Sequence, residues 1–584
     1  MKRLLILFSL IAVFLTSCTE DNTVNEYGFD KNLVIIGDDE PTNEIVLKIK
    51  GRVTSENPDV NVEYYQTKDL DIYEASYILE NAAENYPENT YFAVLVEPGL
   101  ESKRIVFTSG ERTVFAPDNC VTTRFRKNYT PDRIYEVNNL NLFDSEYGSI
   151  NEVPADEFYA ATINNMLSGE ISLENFGDAV DELTDLEIQV PVFTNGTAKG
   201  EILYVSNFGN CETNITESVM ANFEKGDILE VSAGSERFYV KLGTDYGSVN
   251  KYENVAFITG SKKLILAVNY GEMSNRYGLS SGTKLSIKKA SIKAGILQYN
   301  NSDLVQSFVA GTKASLEDLG FREGENIEYI IKNGEGNIPS LKGLVNELIS
   351  DSVDVIIPVS TPASQAAVNF TPESIPVVFT YVTSPEFAGI LNVRSGVTGL
   401  SDATNINDYL DFVTELMPDI SKAGRIYNPD EANSEFFQDA FENNAHLYEL
   451  EYQTEEVNSG NEIQSAFSNL QSYDPDAILI GADNTLNLNM EQLAQLCMDN
   501  DLPLIGDSHQ NTEAGALASI SVDYDELATS TGAYVSSVIL GMPPAELSIK
   551  KFGNSVISLN AGTASEIGFD FSQDMLDKAA EVLD

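Results

Sequence analysis

The stretch DVIIPVSTPASQAA, residues 354–367, sets the apolar run Val355–Val359 against Ser360, Thr361 and Pro362 and then breaks into Ala and Gln. A short apolar run bounded by turn chemistry reads as a buried strand. A hydroxyl residue followed by Pro reads as a helix start, with Thr361 placed to cap and Pro362 in the first turn. The stretch is therefore one strand handing its chain to one helix. Outward from it the same alternation continues: KAGILQY, SDLVQSFVAGTKASLEDLG, NIEYIIK and SLKGLVNELISDS before it, TPASQAAVNF and IPVVFTYV after it. It restarts at AGRIYNP, with ANSEFFQDAFENNA, LYELEYQ, SGNEIQSAFSNLQSY, DAILIGA, TLNLNMEQLAQLCMDND and LPLIGDS. Strand and helix alternating at this spacing make parallel βα units. Residues 290–584 are thus expected to form two similar doubly wound, Rossmann-like α/β lobes, with chain crossings near 397–405 and 520–525.

Open α/β sheets bind ligands outside the carboxyl ends of their strands. The STP segment closes one such end, and a helix N-terminus with hydroxyls and free N–H groups suits a carboxylate or another anion; taken alone it is equally an ordinary cap. NPDEANS (residues 428–434) and GADNTLN (residues 481–487) place polar groups at equivalent strand ends of the second lobe. Three polar strand ends facing one cleft read as a site. His509, in GDSHQNTEAG, is a candidate for its rim or a solvated loop residue, whereas His446 reads as a solvated residue on a helix.

The preceding region differs. NLVIIGDD and NTYFAVLVEPGLESKR read as buried strands ending in loops, DIYEASYILENAAENY as an amphipathic helix. From about residue 199 short alternating strands and turns follow, GEILYVSNFGN, RFYVKLGTDYG, LILAVNYGEM and TKLSIKK. This gives an α/β domain over 32–190 and a small β barrel or sandwich over 191–289.

Composition narrows the function. A chain of 584 residues holds several domains. A net charge of -54, from 36 Lys and Arg against 90 Asp and Glu, repels nucleic acid and anionic lipid as partners. Three cysteines beyond Cys18 make no disulfide framework, and two histidines without a CxxC give a transition metal little to bind; no cofactor is expected. Lys2 and Arg3, the apolar LLILFSLIAVFL and then TSC read as a signal peptide over 1–17, too short to span a membrane comfortably, with a polar tether over 18–31.

LTSC at Leu15–Cys18 resembles the bacterial lipoprotein lipobox, which implies cleavage before Cys18 and its acylation, hence membrane attachment through lipid alone. The C-terminal half, through STPASQAA, IPVVFTYVTSPEFAGI, VTGLS, YNPDEANS, GADNT, LPLIGDS, GALASISVDY, ILGMPPAE and SLNAGTASEIG in order, resembles ABC transporter substrate-binding proteins of the tryptophan- and tyrosine-binding type. The resemblance implies a type I periplasmic-binding fold closing on a small ligand. It implies a cleft lined by Ser360, Thr361, Thr380, Asn433, Ser434, Asp483 and Asn484, with Asp483 balancing an ammonium and the helix at Thr361 a carboxylate. Ser384 stands where the family commonly has an acidic residue, and Asn300, Asn301 and Ser302 must supply the first-loop contacts.

Residues 32–289, through FAPDNC, FGNCETNI and LILAVNYGEMSNRYGLSSGTKLSI, resemble the S-adenosylmethionine hydroxide adenosyltransferase and halogenase family. The family's Asp and the Arg seven positions later fall on Glu97 and Arg104, Asp38 fits an early ribose-binding Asp, and Pro154 stands about where a catalytic histidine should be. Cys120 and Cys211 interrupt two of its motifs, as neighbours that pair or as unrelated thiols. A displaced carboxylate and a missing histidine imply a domain kept without its catalysis. The expectation is a lipid-anchored solute-binding protein of an ABC importer in the cell envelope, on the outer membrane at its periplasmic or surface-exposed face. It would bind an amino acid or similar small molecule and meet an ABC permease; the alternative is an envelope enzyme hydrolysing or halogenating an adenosyl compound.

Overall fold

The computed structural model describes residues 31–97, 102–143, 147–169, 171–402, 405–553 and 556–584. Cys18, the signal peptide and the tether lie outside the described residues. Contacts divide the chain into two compact units, one running to Gln189 with Ile202–Val205 and Ser280–Gly282, the other formed by Val190–Glu201, Ser206–Leu279 and Thr283–Asp584.

The first unit is built on a seven-stranded mixed sheet in the order Val60–Gln66, Lys31–Gly37, Thr90–Val94, Arg112–Pro117, Arg104–Ser109, Ile134–Glu136, Ala179–Val180. Its first four strands run parallel, because the helices Glu44–Glu56 and Ile72–Asn85 return the chain to the same edge. Leu33 and Ile35 pack into one apolar layer and Val34 and Ile36 into the other, so both faces are covered and the strand reads as a continuous apolar run.

The region expected as barrel or sandwich is a closed barrel. Seven strands follow one another around it: Cys211–Thr216, Lys263–Val268, Asn254–Ile258, Glu236–Leu242, Ile228–Ala233, Lys284–Lys289 and Thr197–Val205, which pairs back to the first. Closure removes the sheet edges that an open antiparallel sheet would leave.

The C-terminal half is two doubly wound lobes. The first has a six-stranded parallel sheet, Ile327–Asn333, Ile292–Gln298, Val355–Val359, Val377–Val382, Val397–Ser401, Lys550–Lys551. The second has seven strands, Glu451–Glu456, Lys422–Tyr427, Ala477–Leu479, Leu504–Gly506, Ala518–Ser521, Val556–Asn560, Glu581–Leu583, with one antiparallel pair, Ala518–Ser521 with Val556–Asn560. The chain crosses between lobes after Ser401 and after Ser521, as the sequence suggests, and a third time after Lys551, which the sequence reading missed. A two-residue strand has too little apolar pattern to announce itself.

The helix Tyr524–Ile539 links the second crossing to the barrel. Its middle packs on the helix Asp303–Asp318, where Ser315 Oγ donates to the carbonyl of Thr529 at 2.8 Å. At its far end Ser537 Oγ donates to Glu253 at 2.5 Å, Asn254 N–H donates to the Leu540 carbonyl at 2.7 Å, and Arg276 donates to the Gly541 carbonyl at 2.9 Å. Gly541 has φ 87°, and a Cβ there would lie 2.3 Å from Asn254 Nδ2, so only glycine fits. Ile228 and Tyr239 of the barrel share one apolar core with Val538 and Leu540, making barrel and first lobe one packed body.

Candidate functional site

The first wall of the cleft begins where the opening stretch ends. Val355–Val359 is buried at every position, and the chain turns through Ser360 at φ 94° into the helix Thr361–Phe370. This corrects one expectation: Ser360, and not Thr361, occupies the cap position, because the left-handed turn starts the helix one residue early. Ser360 makes no capping bond; its Oγ is buried without a hydrogen-bond partner, and Thr361 lines the cleft.

Thr380 corrects another. Its Oγ1 lies 2.8 Å from Thr531 Oγ1 on the helix behind the sheet, so it is part of the lobe's interior. Tyr381 and Thr383 line the cleft instead. The strand pairing is irregular between Phe379 and Val382, and Tyr381 takes φ 57°; a single-residue shift of this kind exchanges the faces on which neighbours emerge.

The second wall is an interlocked set of polar loops. Asp483 caps the helix Asn484–Leu488: Oδ1 accepts from Leu486 N–H at 2.8 Å, and Oδ2 accepts from Asn428 N–H at 2.7 Å and Ser434 Oγ at 2.6 Å. Glu431, wholly buried, accepts from the N–H groups of Asn484 and Thr485 at 3.0 Å each and from their side chains at 2.7 Å. Asn433 donates to the Ala482 carbonyl at 2.8 Å. Asn433, Asp483 and Asn484 therefore do face the cleft, whereas Ser434 stands behind it as a support for Asp483. Asp483 differs from its expected role, since both of its oxygens are already engaged in holding the loops together.

The crossings supply what the sequence reading did not name. Asp402, just after the strand Val397–Ser401, and Asp507, just after Leu504–Gly506, line the same cleft, as do Tyr381 and Tyr524, whose ring centroids lie 5.4 Å apart. Asp402 and Asp507 are 7% and 5% exposed, and each keeps one oxygen, Oδ1, without a hydrogen-bond partner. Burial pushes the Asp402 carboxyl up to about 7. Burial, and then the nearby Asp402, push Asp507 up to about 8. Asp483 is also raised, by burial and by Glu431, against the bonds it accepts. Applying the strand-end rule to every strand, including LPLIGD and VTGLSD, would have found both aspartates.

Among the described residues, no Lys, Arg or His lines the cleft. The cation beneath it is Arg425, 1% exposed, which donates from Nε to Gln438 at 2.7 Å and from Nη1 to the Leu479 carbonyl at 3.2 Å. Among the described residues, no three His, Cys, Asp or Glu are placed to hold a metal ion. The inner cleft encloses about 10 Å³, the scale of a single water. It shares Asn487 with an outer cavity of about 460 Å³ lined by Ser302, Asp303, Gln492, Ser508 and Gln510 among others. Ser302 thus reaches the cavity, while Asn300 is buried with its side chain accepting from Ser302 N–H at 3.1 Å. His509 does not line either space: its Nδ1 lies 3.0 Å from Ser558 Oγ and 3.2 Å from Glu581, and its Nε2 lies 3.2 Å from Glu513.

In the first unit Glu97 and Arg104 form an ion pair at 3.1 Å, with the side chains 12% and 13% exposed. The guanidinium lies over the Phe158 ring, 4.6 Å from its centroid. Burial raises the Glu97 carboxyl, against Arg104, which lowers it. Pro154 begins the helix Ala155–Ser168 that carries Phe158, and Asp38 accepts from Leu70 N–H at 3.0 Å. Cys120, Cys211 and Cys497 form no disulfide with one another, so the pairing of Cys120 with Cys211 is not present.

Residues 293–583 match the family described as ABC transporter substrate binding protein. Residues 34–177 match the SAM hydroxide adenosyltransferase N-terminal domain, and residues 200–286 its C-terminal domain. A tyrosine-binding protein of Clostridioides difficile is 28% identical over 288 residues, 49% of this chain and 83% of that protein. Among solved structures, an ABC domain in complex with L-Trp from Streptococcus pneumoniae is 24% identical, covering 50% of this chain and all of that one with a TM-score of 0.48. A conserved domain protein of Vibrio cholerae is 25% identical over 50% of this chain and 99% of that one, with a TM-score of 0.48.

Proposed function

Because the C-terminal half of this chain belongs to the ABC transporter substrate-binding proteins and the N-terminal half consists of the two SAM hydroxide adenosyltransferase domains, we propose a lipid-anchored solute-binding protein of an ABC importer whose N-terminal module does not turn over substrate. The ligand, an amino acid or similar small molecule, is held between the two lobes. One observation carries this reading: polar side chains from both lobes and from two crossings converge on one cleft, and two of them, Asp402 and Asp507, keep a buried oxygen unpaired. An unpaired buried polar group costs about 1–3 kcal/mol, which a donor on the ligand relieves. Contacts made only with the lobes together are also what drives closure. The tyrosine-binding relative supports the amino-acid class.

The N-terminal reading rests on Glu97 and Arg104 being paired with each other and on both histidines of the chain, His446 and His509, lying in the C-terminal half. Attachment through Cys18 and a place in the envelope rest on the lipobox resemblance, and a permease partner rests on the substrate-binding family match; no described helix is long and apolar enough to cross a membrane.

Mass spectrometry of what co-purifies with the full chain in detergent tests the reading. A small molecule present near one per chain, and lost in Thr361→Ala and Tyr524→Ala, is expected. Retention by both variants moves the site elsewhere. Adenosine released from S-adenosylmethionine by the wild type but not by Arg104→Ala would make the N-terminal half an enzyme. Cys18→Ala expressed in a lipidating bacterium is expected to leave the membrane fraction; continued membrane attachment removes the anchor from the proposal.

A further inference from the structure

Assuming that this cleft is the ligand site, its charge names the ligand more closely. Asp402, Asp483 and Asp507 line it, Glu431 lies directly behind, and among the described residues no cation faces it. The four carboxylates are not equivalent. Glu431 and Asp483 are saturated by hydrogen bonds from Asn484, Thr485, Leu486, Asn428 and Ser434, and they hold loops. Asp402 and Asp507 are also buried, yet each has an oxygen with no hydrogen-bond partner among the described residues. They approach from different elements, one on the chain leaving the first lobe and the other at a strand end of the second, so a single donor between them bridges the lobes. Tyr381 and Tyr524 complete the enclosure with two aromatic rings, the kind of surface that favours a cation and the methylenes beside it. The strained φ of 57° at Tyr381 is what presents that ring.

A neutral zwitterion answers this poorly. Its ammonium satisfies the two free oxygens, but no Lys, Arg or His among the described residues lining the cleft meets its carboxylate. Arg425 does not compensate, being committed to Gln438 and the Leu479 carbonyl below the floor. We propose that the cleft selects a small ligand of net positive charge, an organic amine such as a basic amino acid or a diamine, with its ammonium shared between Asp402 and Asp507 beside Tyr381 and Tyr524 and its carbon chain leading past Asn487 into the outer cavity.

Isothermal titration of the full chain, stripped of bound ligand by unfolding and refolding and held in detergent, compares lysine, arginine and putrescine with tyrosine, leucine and glutamate. At least one cation is expected to bind about tenfold or more tighter than every neutral or acidic amino acid. Asp402→Asn and Asp507→Asn are each expected to weaken it by about tenfold or more, the loss of one charge-assisted bond. Asp483→Asn serves as the comparison, since it changes charge at the same cleft but is expected to act on melting temperature more than on selectivity. Tyrosine or leucine binding as tightly as any cation, with that binding lost in Tyr524→Ala, overturns the cationic ligand and leaves the cleft as the site. No binding of any of the six by a protein that melts cooperatively overturns both.

Discussion

Two regions of this chain bury carboxylates and dispose of the charge differently. Glu97 in the first unit is met by Arg104 at 3.1 Å, and the guanidinium is stacked on Phe158; the protein supplies both partners. Asp402 and Asp507 in the C-terminal cleft are buried at least as deeply, with an oxygen each left over and no facing cation among the described residues. A buried carboxylate that the protein pairs for itself needs nothing further, whereas one left open is stabilised by whatever brings a donor. The difference separates a region whose charged groups are paired with each other from one whose buried acceptors stay open.

The sharpest way to break this contrast is to remove the one cation beneath the cleft. Arg425→Met leaves Gln438 Oε1 and the Leu479 carbonyl, two buried acceptors, without their donor and is expected to lose about 2–4 kcal/mol in urea unfolding of the full chain, at about 1–3 kcal/mol for each unpaired group. A loss below about 1 kcal/mol would mean that other donors take over both acceptors and that the floor of the cleft does not depend on the cation. Arg104→Ala tests the other side. It is expected to cost about 1–3 kcal/mol by leaving Glu97 unpaired, with no change in ligand binding at the cleft; an altered titration there would tie the two regions together.

The pH dependence sharpens the contrast further. Asp507 titrates near 8 when folded, against about 3.9 for a free Asp, because burial, Asp402 and Asp483 outweigh Arg425. Between those values the folded state holds a proton that the unfolded state has released, so stability from this group is full at low pH and lost as pH rises from about 4 towards 8. In ligand-free protein Asp507→Asn is therefore expected to flatten the fall in melting temperature between pH 5 and 8. Parallel curves for variant and wild type would place the titration elsewhere. The smallest effect is expected at His509→Ala. Its contacts to Ser558, Glu513 and Glu581 are half-exposed and lie outside the cleft, so a change within about 0.5 kcal/mol and an affinity within twofold are expected. A tenfold loss of affinity would return His509 to the rim.

How legible the site was depended on the kind of signal. The helix start at Thr361 and the polar loops at Asn433 and Asp483 stood out because hydroxyl, amide and carboxylate residues broke apolar runs. Which of those groups were free to meet a ligand did not stand out. Asp483, expected from the resemblance to balance an ammonium, has both oxygens accepting from Leu486, Asn428 and Ser434. Thr380 and Tyr381 are adjacent letters, and only the irregular pairing after Phe379 decides which of them faces the cleft.

The two alternating α/β lobes, the first α/β domain and the chemistry of the strand ends are legible in the order of the residues, because strand and helix periodicity and helix-start chemistry are local properties written over a few residues. Tertiary structure alone decided that the short-strand region closes into a barrel, that a third crossing follows Lys551, and that Asp402 and Asp507 come together between two tyrosines. Burial and hydrogen-bond partnership are sums over neighbours remote in the chain. Asp402 and Asp507 are separated by more than a hundred residues, and neither carries in its own surroundings any mark that the other is near.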